Sequence, residues 1–206
     1  MIGIVTALYD RKTTGKGQKV DIGMLDSQVA LLENAISRYV ATGQVPGPLG
    51  SRHPSIAPFA AFATKDGHIA IAAGNDDLFA RVARVLGRED LIADARFTSN
   101  PKRVHNHEAL HEEMEIALSA HPSKHWLDAL DAAGVPSGPL NNVAQVMADP
   151  QVLSRNMIIE ALDPELGPIR MQGNPVKLSA HEDPKTRPGA PDLDADRAAI
   201  LKELGL

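Results

Sequence analysis

A chain of 206 residues is long enough for one sizeable core or two small domains, and its net charge of −5, with both signs mixed along the sequence, leaves no basic stripe for a nucleic acid. The absence of cysteine excludes disulfides, thiolate catalysis and Cys-based zinc or iron–sulfur sites together, so the chemistry must rest on oxygen and nitrogen groups. No apolar run approaches the roughly 20 residues of a membrane span, and the first residues lack a signal peptide's basic start and cleavage site, so no membrane partner and a cytoplasmic location are expected.

The opening MIGIVTALYDR is apolar from Ile2, with Ile4, Val5 and Leu8 at helical spacing and no Ser, Thr, Asp or Asn before it as a cap. An uncapped, almost wholly apolar helix needs neighbours on every side, so a missing upstream segment is expected. In RKTTGKGQKVDIGMLDS the lysine between glycines suggests a phosphate cradle. A Walker loop, however, needs Gly, four residues, then Gly-Lys-Ser/Thr, and Gln18 stands where the hydroxyl belongs. Gly15 and Gly17 are read instead as a turn between a helix ending near Arg11 and a strand Lys19 to Ile22. MLDSQVALLENAISRYVATG then predicts one long amphipathic helix closed by Gly43.

Residues 43–58 are rich in proline and glycine and form a loop longer than an ordinary connection. FAAFATKDGHIAIAAG reads as a hairpin turning at Asp66-Gly67, and NDDLFARVARVLG as a helix capped by Asn75 or Asp76 and stopped at Gly87. Asn100 is expected to cap the next helical stretch, with Pro101 at its first position. SKHWLDALDAAG is a further helix ending at Gly134, followed by a rigid Pro-Gly segment, and two short helices break at Asp149-Pro150. MIIEALDPELGPIRMQGNPVKLS alternates like paired strands, AHEDPKTRPGAPDLD is an extended tail, and ADRAAILKELGL closes the chain as a helix.

Three constellations carry chemistry. HEALH, His107 to His111, satisfies H-E-x-x-H, which on a helix sets two imidazoles on one face for zinc with Glu108 as base. Both histidines, however, fall on the apolar stripe with Val104, Met114 and Leu118, where packing histidines are the simpler reading. Only His121, His125 or Asp128 offer a third ligand, none in a recognised spacing. The loop GSRHPSIAP places Arg52, His53 and Ser55 on a stiff backbone, either as a substrate clamp or as a crossing between domains. Near residues 132–157, Arg155 is either an anion ligand or an ordinary solvated arginine.

Together these stretches resemble the family III CoA-transferases, the CaiB/BaiF group of formyl-CoA transferases, carnitine CoA-transferases and α-methylacyl-CoA racemases. The resemblance is carried in order by GI..AL..R..TGKGQKVDIGMLDS, HP...PF..F...DGHIAIAAGND, LGRED, DARFTSNPKRVHN, W...L.AAGVPSGP.N, ADPQV..RNM and GNPVKLS. It implies an α/β fold, the C-terminal part of such an enzyme. Residues 1–45 would be a fragment of the large Rossmann-like domain, 46–150 a small α+β domain with the substrate loop, and 151–206 a return segment ending in a helix.

The resemblance further implies CoA transfer between carboxylic acids through an aspartyl anhydride, with a coenzyme A thioester as substrate and no tightly bound cofactor or metal. The nucleophilic aspartate would lie upstream of Met1, and Asp10, Asp21 and Asp26 do not match its place. The oxyanion-stabilising substrate loop falls on His53, Pro54, Ser55 and Ile56, and Met24 matches a residue lining the CoA site. Formyl-CoA transferases carry a glycine run where this chain has HPSI, and the tail lacks the family's Gly-x-His-Thr, which leaves racemisation open as an alternative. Family members form interlocked homodimers, so a second copy or a partner chain carrying the N-terminal half is implied. A non-catalytic partner subunit or truncated product is the alternative from another class, and a zinc hydrolase built on His107, Glu108 and His111 stands third.

Overall fold

The computed structural model describes residues 1–206, which divide into two compact units, 1–51 and 52–206. In the first, α1 (Ile2–Thr14) runs a turn beyond Arg11 and stops at Gly15, whose φ of 68° is left-handed and whose N–H bonds back to the Arg11 carbonyl. A side chain at that φ is strained, so the first glycine of the lysine-flanked pair is a helix stop. The segment after it returns along the helix: Gln18 Nε2 donates to Asp10 at 3.2 Å, and a Cβ on Gly3 would stand 3.0 Å from Val20. The strand expected over Lys19 to Ile22 does not form. A strand needs a hydrogen-bonding neighbour, and residues 1–51 contain no second strand to pair with.

The single helix expected over 24–42 is two, α2 (Met24–Leu31) and α3 (Glu33–Thr42). They part at Leu32, whose N–H bonds to Val29 three residues back. The apolar spacing runs through the break and carries no sign of it. None of these three helices buries a residue.

The second unit begins at Arg52. β1 (Phe59–Ala63) and β2 (His68–Ala72) form the expected hairpin, Phe59 opposite Ala72 and Ala63 opposite His68. α4 (Asp76–Val85) is capped by Asn75, whose side chain accepts from the Leu78 N–H at 2.8 Å. The short α5 (Asp90–Ala93) leads to α6 (Asn100–His105), where Ser99, not Asn100, is the N-cap residue. The chain breaks at Asn106 before α7 (His107–Leu118). α8 (Ser123–Ala132) follows, and the Pro-Gly segment after it pairs with β2 as a third strand, β3 (Ser137–Pro139).

The sheet runs in the order β1-β2-β3, with α7 packed on β1 and α8 on β2 and β3. Alternation does the sorting: Ala60 and Phe62 on β1, with Ile69 and Ile71 on β2, enter a core shared with Phe79, Val82, Leu110, Met114, Trp126 and Leu130. Beyond it, α9 (Val143–Ala148) opens with a capping box of Asn142 and Gln145, and α10 (Pro150–Ser154) with Asp149. β4 (Ile158–Asp163) pairs antiparallel with β5 (Gly167–Gln172), and the alternation expected to run on through Ser179 forms no strand past Gln172, where the ladder with β4 ends at Ile158. Part of the expected extended tail, β6 (Thr186–Pro188), adds to β4 in parallel, and α11 (Arg197–Glu203) closes the chain.

Candidate active site

The loop before β1 is held at several points. His53 N–H donates to the Phe59 carbonyl at 2.8 Å, and the ring stacks on Phe59 with centroids 5.3 Å apart. Ser55 N–H donates to His53 Nδ1 at 3.2 Å, which places the neutral ring's proton on Nε2. From α6, Asn100 reaches the loop with both ends of its amide: Nδ2 donates to the Ser55 carbonyl at 2.8 Å, and Oδ1 accepts from the Ala57 N–H at 3.1 Å. One turn on, Arg103 donates through Nε to the Ala57 carbonyl at 2.7 Å.

Arg103 is wholly buried. Its remaining nitrogens donate to the Phe97 carbonyl at 3.0 Å and to Asp76 at 2.6 Å, and its guanidinium lies 4.5 Å from the centre of the Phe79 ring. Within 53–56, Pro54 has no N–H, the His53 N–H is engaged by β1 and the Ser55 N–H by the His53 ring. The Ile56 N–H alone has no acceptor in the chain.

A cavity of about 200 Å³ lies between this loop and α7. Arg52, His53, Ile56 and Phe59 line it from the loop side, His107 and His111 from the helix; Pro54 and Ser55 do not. Two constellations that are separate in sequence thus meet at one cleft. His111 donates through Nε2 to the Ala61 carbonyl at 3.1 Å and stacks on Phe62, and His107 Nδ1 donates to the Val104 carbonyl at 3.2 Å. A carbonyl only accepts, so each imidazole commits one N–H to the backbone.

Glu108 is exposed, and the other zinc candidates lie at the start of α8. There the rings of His121 and His125 sit 4.1 Å apart beside Trp126, and Asp128 pairs with Lys124. No group of three or more His, Asp or Glu side chains is arranged to hold a metal ion. Arg155 ends α10, exposed, and Met24 opens α2 in the first unit, also exposed. Sequence reasoning missed Asn100 and Arg103 as loop contacts, because Asn-Pro at the head of a helix reads as a cap and an arginine on a short helix reads as solvated.

The family model for CoA-transferase family III matches residues 1–197. The chain is 45% identical over 201 residues to the acetyl-CoA:oxalate CoA-transferase of Acetobacter aceti, covering 98% of itself and 50% of that protein. It is 35% identical to the human succinyl-CoA:glutarate CoA-transferase, of which it covers 46%. Its fold matches the crystal structure of a CaiB/BaiF family protein from Brucella suis with a TM-score of 0.83 at 36% identity, over 98% of this chain and 52% of that one. The chain therefore spans about half the length of the relatives it matches, and with its mixed α/β architecture it belongs to CoA-transferase family III.

Proposed function

We propose that the chain is part of an acyl-CoA:carboxylate CoA-transferase acting on short dicarboxylic acids, with residues 53–56 as its oxyanion-stabilising loop. In such a reaction a carboxylate attacks the thioester carbonyl, the C–S bond breaks, and a mixed anhydride and CoA thiolate result. The thiolate then attacks the enzyme side of the anhydride, releasing the donor acid and leaving an enzyme–CoA thioester. The acceptor acid attacks that thioester, and the thiolate finally takes up the acceptor's acyl group. Each step builds negative charge on a carbonyl oxygen, which a fixed N–H stabilises.

What carries this reading is the Ile56 N–H, left without a partner in a loop otherwise pinned at the mouth of a cavity. The acid class is supported by the names of the relatives, which pair oxalate with acetyl-CoA and glutarate with succinyl-CoA. The attacking aspartate is assigned to the half of the relatives' length that this chain does not span, together with most of the CoA contacts; Met24 is assigned to the CoA site. Because α1, α2 and α3 bury nothing, they are assigned to a surface covered by that half, in cis or as a partner chain, within a homodimer.

The test is steady-state CoA transfer by a protein carrying both halves. Oxalate, succinate or glutarate should act as acceptors in preference to acetate or butyrate, and Ser55→Pro should lower kcat without unfolding the protein. Equal use of monocarboxylates would overturn the acid class, and wild-type kinetics in Ser55→Pro would overturn the loop assignment.

A further inference from the structure

The Asn100 side chain grips the two peptide groups that flank Ile56. Its Nδ2 holds the Ser55 carbonyl at 2.8 Å and its Oδ1 holds the Ala57 N–H at 3.1 Å. The assignment of the two amide ends follows from the partners, since a backbone N–H can only donate and a carbonyl only accept. The Ser55 carbonyl and the Ile56 N–H belong to one trans peptide plane and point in opposite directions. Fixing the carbonyl toward α6 therefore fixes the free N–H away from it. Withdrawing electron density through the carbonyl also makes that N–H a stronger donor.

Asn100 does this at a local cost. At the head of a helix an Asn side chain ordinarily accepts from the first-turn N–H groups, yet here Ser99 holds the cap position without a side-chain bond. Arg103 holds the next carbonyl, that of Ala57, from the same helix. Three hydrogen bonds from α6 thus reach the stretch from Ser55 to Ala57.

We infer that Asn100 is a positioning residue for CoA transfer: by clamping the Ser55 carbonyl and the Ala57 N–H it aims the Ile56 N–H at the oxyanion. This rests on the assignment of residues 53–56 as the substrate loop. Asn100→Asp separates aiming from simple support, because a carboxylate still accepts from Ala57 but cannot donate to Ser55.

In a transferase carrying both halves, Asn100→Asp and Asn100→Ala should each lower kcat by about 10- to 100-fold, less than the roughly 100- to 1000-fold cost of removing an oxyanion donor outright, because the N–H is misaimed but still present. KM for the acceptor acid should stay within about twofold, because ground-state binding is untouched. Backbone hydrogen exchange over 53–57 should quicken in Asn100→Ala while exchange in α7 and β2 stays at the wild-type rate, which shows that the fold is intact. Wild-type kcat in Asn100→Asp, or loss explained wholly by a raised KM, overturns the inference.

Ile56→Pro, which deletes the N–H itself, distinguishes the two levels. If it is impaired while Asn100→Asp is not, the loop stands and the role of Asn100 falls. If a folded Ile56→Pro transfers CoA at the wild-type rate, the loop assignment falls and the inference with it.

Discussion

Arg103 carries a positive charge with no solvent contact, which costs several kcal/mol of desolvation in any protein. Three hydrogen bonds and the Phe79 ring face offset it, and because Asp76 is largely exposed the ion pair itself contributes less than the two backbone carbonyls. Arg103→Met would leave the Ala57 and Phe97 carbonyls buried without donors, at roughly 1–3 kcal/mol each. Chemical denaturation should show a loss of about 3 kcal/mol, and a loss under about 1 kcal/mol would contradict this account. Arg103→Lys should recover only part of it, since an ammonium cannot reproduce the planar fork.

Asp66 illustrates a second use of a polar side chain. From the hairpin turn it accepts from the Ser123 N–H at 2.7 Å and the Ser123 hydroxyl at 2.9 Å, capping α8 from outside because Pro122 cannot. The Ser123 N–H, then its hydroxyl, hold the Asp66 pKa below its ordinary value of 3.8. A depressed carboxylate stabilises the fold fully above the unfolded pKa and loses that contribution as pH falls through the folded one. The stability difference between wild type and Asp66→Ala should therefore be flat above pH about 5 and shrink below about 4. A difference independent of pH across that range would show that the charge is not what Ser123 reads.

At the scale of elements, the legible parts were those whose signal is local. Asp66-Gly67 between alternating apolar residues specifies the hairpin, Asn75 and Gly87 bracket α4, and Asp149-Pro150 separates α9 from α10. The parts that were not legible depend on partners far away in sequence. β3 exists because β2 offers an edge, and Ser137-Gly138-Pro139 has no strand signature of its own. Lys19 to Ile22 has the signature and lacks the edge. The split at Leu32 has no cue in an apolar pattern that continues through it.

The same contrast governs the first unit as a whole. Isolated helices of 8 to 13 residues are marginal in water, and most helical stability comes from packing an apolar face. Here Leu8 is 49% exposed, Leu25 75% and Ile36 44%. We expect the 206-residue chain alone to self-associate with concentration-dependent sedimentation, and limited proteolysis to cut within residues 1–51 before the sheet unit. A monodisperse monomer resistant in that region would show that these helices need no cover.

For the molecule as a whole, the family and its order of motifs were readable from end to end, whereas the candidate site was readable only in part. The loop 53–56 was singled out by resemblance and its role stays a proposal, whereas its contacts with Asn100 and Arg103 and the cleft it shares with His107 and His111 arise from packing among stretches about 50 residues apart, which spacing cannot show. H-E-x-x-H was a true helical pattern whose imidazoles each spend an N–H on the backbone. We propose that residues 52–206 supply a pinned loop in which the Ile56 backbone N–H is left without an acceptor, and that the attacking carboxylate comes from the half of the relatives' length that this chain does not span. The most direct test is the transfer of CoA from succinyl-CoA or acetyl-CoA to oxalate by the 206-residue chain alone and after addition of that half. No transfer alone and transfer on reconstitution is the predicted result; turnover by the isolated chain would contradict it.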